Sequence, residues 1–83
     1  MEPKFSHAGC PDCKFIGQDE GHDYYFCDHA GHVTLIARFG DNPEDYLSGL
    51  IFARLYEKHP ERSGPMRPLL TALQLAQALG LCD

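Results

Sequence analysis

Residues 10–27 read "CPDCKFIGQDEGHDYYFC", and this stretch sets the architecture of the N-terminal half. Lys14, Phe15 and Ile16 make a short apolar run after the Cys10-Pro11-Asp12-Cys13 turn. "GQDEGH" (17–22) is turn chemistry, with Gly17 and Gly21 bracketing polar residues. "DYYFC" (23–27) is rich in aromatics and suits a strand. The pattern predicts a β-hairpin whose open end returns Cys27 to the neighbourhood of Cys10 and Cys13.

Thiolate and imidazole are the usual donors to tetrahedral zinc, and the two sulfurs of C-x2-C leave a tight turn on the same side. Pro11 and Asp12 suit that turn. The arrangement resembles a zinc ribbon over residues 10–32, with one departure: Ala30 stands where a second knuckle would repeat a cysteine. The fourth donor is then His32, giving C-x4-H, or His29, giving C-x-H on one face of a continuing strand. His7, His22 and Cys82 are further candidates. The expected site is one structural zinc ion on Cys10, Cys13, Cys27 and His32, with His29 as the alternative fourth ligand. Two competing readings stand beside it. The cysteines are small, reduced core residues, or they form a redox dithiol. The redox reading is disfavoured because Lys14-Phe15-Ile16-Gly17 does not open a helix, whose N-terminus would lower a thiol pKa. Cys82, past the last helix, is expected to be a free or partly buried thiol. It joins the site only if the C-terminal helix folds back onto the hairpin end.

Beyond Cys27 the chain reads on in short elements. "HAGH" (29–32) breaks the strand, and "VTLIARF" (33–39) is the clearest strand of all. Its loose alternation points to cover on both faces. "GDNPED" (40–45) is a turn or a helix entry. Asn42 could cap a helix with Pro43 at its first position. The preferred reading has Ser48 capping a helix that begins at Gly49, because glycine inside a helix costs about 1 kcal/mol. Residues 43–47 are then a turn or one loose helical turn. Ile51, Phe52, Leu55 and Tyr56 form one apolar stripe. "PERSGP" (60–65) links the helices. The last helix starts near Pro65 or Pro68 and runs to Leu79, with Leu69, Leu70, Leu73, Ala76 and Leu79 at helical spacing. Gly80 stands where a left-handed cap belongs. The expected architecture is α+β: a zinc-ribbon-like hairpin or three-stranded meander followed by two α-helices. A single domain spans residues 1–83, with a cysteine-bearing β region at 10–39 and a helical region at 43–80.

A chain of 83 residues buries only about 60–65% of its unfolded surface, so a metal staple would help it. The net charge of −5, from 7 basic and 12 acidic residues, is a poor match for phosphate backbones. It suits a protein partner or a small ligand. The N-terminus carries no apolar targeting segment, and no run is long enough for a membrane span. The chain is therefore expected in the cytoplasm, where C-x2-C is a metal or redox motif rather than a structural disulfide.

Other chemistry is sparse. His22, Asp23, Asp28 and His29 could suggest acid–base catalysis, but adjacent His and Asp in a turn are ordinarily solvated. No nucleophile elbow, phosphate-binding glycine loop or HExxH motif occurs. Four protein ligands would leave zinc no open position for water. The segment from Arg38 to Tyr46 mixes arginine, aromatics and acids, which makes it either an interface anchor or a helix-entry turn. Of Tyr24, Tyr25 and Phe26, at least one is expected to point outward. The string "CPDCKFIG…DYYFC…TLIARFGDNPEDYLSGL" is similar to small uncharacterised bacterial proteins that carry a cysteine-bearing hairpin and an "IAR[FY]G…DY.SG" segment. That resemblance implies a bacterial or phage cytoplasmic origin and one compact domain. The leading functional expectation is a non-catalytic adaptor or regulatory module that binds another protein and is stabilised by zinc. The alternative is a nucleic-acid-associated zinc module in transcription, with a basic face from Arg38, Arg54, Lys58, Arg62 and Arg67. A second alternative is a small enzyme with zinc left open at its fourth position.

Overall fold

The computed structural model describes residues 12–19, 21–40 and 45–82. The strands are β1 (Cys13–Asp19), β2 (His22–His29), β3 (His32–Phe39) and β4 (Tyr46–Ser48), paired antiparallel in chain order into one sheet. Two helices follow, α1 (Leu50–Lys58) and α2 (Arg67–Ala78). The fold is α+β, as expected, with one strand more than the three-stranded meander.

The hairpin of β2 and β3 turns on Ala30 and Gly31, whose φ angles are 52° and 84°. Two left-handed residues in a two-residue loop match the right-handed twist of the flanking strands. The register then runs without interruption from His29 opposite His32 to His22 opposite Phe39. β1 pairs less regularly. Its register shifts between Phe15 and Gly17, so Ile16 is an extra residue. Gly17 is therefore inside β1, not in the turn. A Cβ there would stand 2.9 Å from Leu75 Cδ1, so glycine lets α2 approach the strand closely.

The sheet is buried on both faces. Tyr24, Phe26, Leu35 and Ala37 face the helices and join Ala53, Leu69, Ala72, Leu73 and Ala76 in the main core. Tyr25, Cys27 and Ile36 form a second cluster on the other face, flanked by Cys13, Phe15 and Tyr46. Leu35 and Ile36 are consecutive, and both are fully buried. The two-sided cover expected for β3 is present. Tyr24, Tyr25 and Phe26 are all buried as well, so none points outward. β2 is a central strand with cover on both sides, and alternation cannot expose any of the three.

Residues 45–49 depart from the helical reading. Tyr46, Leu47 and Ser48 pair with Arg38, Ala37 and Ile36. The Phe39 amide donates to the Asp45 carbonyl at 2.8 Å, and the Gly49 amide to that of Leu35 at 3.0 Å. Sheet pairing, with Leu47 packed on the main core, outcompetes a loose turn. Ser48 is thus the last strand residue. Gly49 takes the cap position of α1, and no side chain caps it. Asn42 and Pro43, the other proposed helix start, lie outside the described residues.

Two short 3₁₀ turns, Pro60–Arg62 and Gly64–Met66, join the helices. Ser63 between them is buried, and its hydroxyl donates to the Pro60 carbonyl at 2.8 Å. α2 begins with proline in its first turn, where the missing N–H costs nothing. It ends at Gly80 with φ 74°. There the Leu81 amide donates to the Ala76 carbonyl at 2.9 Å and the Gly80 amide to that of Gln77 at 3.0 Å. This paired bonding is the Schellman cap expected of Gly80.

Candidate functional site

Three regions carry the candidate chemistry: the cysteine end of the sheet, a polar cleft beside α2, and the outer face of α1. At the cysteine end, Cys13 and Cys27 are direct partners across β1 and β2. Cys27 is buried and Cys13 half-buried. Directly opposed residues share a face, and so do residues two apart on a strand. His29 therefore lies on the thiol face, and His32, its partner across the β2–β3 turn, lies there too. The Nδ1 atom of His29 is 2.7 Å from the carboxylate of Asp12, the residue that precedes Cys13. Ala30, which interrupts the ribbon pattern, belongs to the hairpin turn. Its place is taken by loop geometry, and no second knuckle forms there.

Cys10 and His7 lie outside the described residues. Among the described residues, no three His, Cys, Asp or Glu side chains are grouped to hold a metal. Cys82 packs half-buried against the main core, on the helix side of the sheet. It is therefore separated by the sheet from Cys13 and Cys27. His22 is likewise elsewhere, at the far end of β2, edge-on to Phe39 at 4.8 Å and stacked on Tyr24 at 6.1 Å.

The thiol face continues into a charged pair. Asp23 and Arg38 oppose each other in the ladder, and their charged atoms are 3.9 Å apart with each side chain 13% exposed. Gln18 Nε2 donates to the same carboxylate at 2.7 Å. Asp23 is thus a partly buried structural group, not the solvated turn residue expected. Burial pushes the Tyr25 phenol above its ordinary pKa. The Asp23 charge adds to this, and Arg38 opposes it.

Asp19, His22, Tyr24, Arg67, Pro68, Thr71 and Gln74 line an open, mainly polar cleft of about 390 Å³ between the β1–β2 end and α2. Its size falls within the range of small-molecule sites, but such sites are mostly apolar and enclosed. No nucleophile with an oriented base appears among its lining residues.

The third region was not recognised as a site in the sequence. Of the stripe Ile51, Phe52, Leu55 and Tyr56, the first three are 83%, 57% and 47% exposed. Only Ala53 of α1 is buried. The spacing signalled an amphipathic helix but not the direction its apolar face would take. Arg54 and Glu57 flank this face as an ion pair at 3.8 Å, and Lys58 closes the last turn.

No helix is long and apolar enough to cross a membrane. No family model, curated protein or solved structure matches the chain.

Proposed function

We propose that the chain is a non-catalytic protein-binding module whose contact surface is the outer face of α1. The observation that carries this reading is the exposure of Ile51, Phe52 and Leu55 on adjacent helical positions. Exposed apolar groups clustered on one helix and rimmed by charge are a common mark of a protein contact site. Anchors at this spacing suit a partner with an apolar groove or a second amphipathic helix. The cysteine end of the sheet acts as a brace: one structural zinc ion on Cys10, Cys13, Cys27 and a histidine holds β1 to β2. The direct opposition of Cys13 and Cys27 across β1 and β2 supports that role.

The nucleic-acid reading has less to stand on. Arg38 is largely buried beside Asp23, and Arg54 is paired with Glu57. Two of the five residues of the expected basic face are thereby engaged with acids.

Affinity capture with the full chain and with an Ile51→Glu, Phe52→Glu variant tests the proposal. The expected result is a discrete protein recovered by the native chain, resistant to nuclease and absent with the variant. Identical recoveries from both chains would overturn it. So would binding to DNA or RNA that weakens steeply with salt, because phosphate contacts release counterions.

A further inference from the structure

We infer that Cys13 and Cys27 form an oxidation site, closing a reversible disulfide across β1 and β2 by exchange with a low-molecular-weight disulfide. The inference goes beyond the zinc reading and needs neither a metal nor Cys10. It also concerns a different pair from the C-x2-C motif, one that only the strand register brings together.

The first argument is backbone geometry. Along an antiparallel strand, successive residues direct their N–H and C=O alternately to the two neighbouring strands. The Phe39 amide donates to the Asp45 carbonyl and the Gly49 amide to that of Leu35, so these positions of β3 bond towards β4. Thr34, Ile36 and Arg38 therefore bond towards β2, and their partners Cys27, Tyr25 and Asp23 direct their backbone groups to β3. Cys27 then has none to give β1, and its pairing with Cys13 is of the non-hydrogen-bonded kind. In such pairs the opposed Cα atoms come within about 4.5 Å, and the side chains lie closest. Disulfides span Cα separations of about 4.4–6.8 Å, so the strands need not move to close one here. The pair falls at the short end of that range, which favours a reducible bond over a permanent staple.

The second argument is access. Cys13 is half-buried at the first position of the edge strand β1, whereas Cys27 is 2% exposed beside it. The two therefore take different parts in the exchange. The Cys13 thiolate attacks one sulfur of the oxidant RSSR, forming a mixed disulfide and releasing RS⁻. Cys27, losing its proton, attacks the Cys13 sulfur and expels the second RS⁻. The protein gives up two protons and two electrons, and RSSR becomes two RSH. Phe15 and Tyr25, the next pair on the same face, meet edge-on at 5.5 Å and cover one side of the bond. The bridge pins the end of β1 that lies beyond its register shift between Phe15 and Gly17.

The test incubates the full chain in glutathione buffers of graded redox poise, with a chelator present so that bound metal does not mask the sulfurs. Acid quenching, alkylation and peptide mapping by mass spectrometry then locate the bond. The native chain is expected to lose two hydrogen atoms in mass, to yield a Cys13–Cys27 crosslink, and to regain both thiols in excess reduced glutathione. Cys10→Ser should form the same bridge. Cys27→Ser should stop at a single glutathione adduct on Cys13. The bridge closes a loop of about 15 residues, so the oxidised chain should show a roughly 100-fold smaller unfolding constant in urea. No bridge in the most oxidising buffer, or a bridge through Cys10 alone, would overturn the inference. So would a bridged chain less stable than the reduced one, because the bond would then not fit the native sheet.

Discussion

The two helices have similar apolar content but opposite placement. α2 turns Leu69, Leu70, Ala72, Leu73 and Ala76 into the core, while α1 buries Ala53 alone and leaves Ile51, Phe52 and Leu55 in water. The difference lies in which residues meet the sheet. α2 lies over Gly17 and the apolar face of β1, β2 and β3, where large side chains have room to interdigitate. α1 follows a short edge strand directly and seats only Ala53, with Leu50 beside it, against the core. A helix of nine residues is marginal on its own, so packing and tethers must hold it. One tether is the Gln77 side chain of α2, which donates to Glu57 at 2.7 Å. An apolar helical stripe thus marks a surface that favours cover. It does not say whether the cover comes from the same chain.

The largest expected effect separates the helices most sharply. Leu73→Ala in α2 should lose about 2–5 kcal/mol of folding free energy, because it removes buried contacts and leaves a cavity. Leu55→Ala in α1 should change stability by no more than about 0.5 kcal/mol, as at other exposed sites. Urea denaturation of the two variants checks the pair, and equal losses would break the comparison. Next in size, Ala53→Leu should cost about 1–3 kcal/mol by overpacking the one buried position of α1. Amide exchange over residues 50–58 should speed up in that variant, with α2 less affected. Smaller again is Gly80→Ala. A Cβ in the left-handed cap should cost about 1 kcal/mol by thermal melting. The smallest effect is Ile51→Lys with Leu55→Lys, expected to leave stability within about 0.5 kcal/mol while lowering partner binding at least tenfold. A marked loss of stability there would mean the face is internal packing.

Much of this fold was legible in local chemistry. The aromatic and β-branched runs gave β2 and β3, and proline and glycine marked the start and cap of α2. Long-range pairing was harder to see. Tyr46, Leu47 and Ser48 are too few to show a strand period, and they form one only because β3 offers an open edge. Gly17 looked like turn chemistry because its reason, the approach of Leu75, lies 58 positions further along the chain. The candidate site divides in the same way. The opposition of Cys13 and Cys27 followed from the hairpin, and the register bears it out. The Asp12 contact to His29 depends on how the end of β1 meets β2, which spacing alone does not encode. The outward turn of α1 was hidden because periodicity reports a face and not its direction.

Site-specific photocrosslinking compares the two helices directly. A photoreactive residue is introduced as Leu55→p-benzoylphenylalanine on the outer face of α1. The control is the same replacement at Gln74, an exposed position on α2. Irradiation in cell extract should give one discrete protein adduct from position 55 and none from position 74. Equal adducts from both positions, no adduct from position 55, or an adduct with nucleic acid would contradict the assignment of α1 as the binding face.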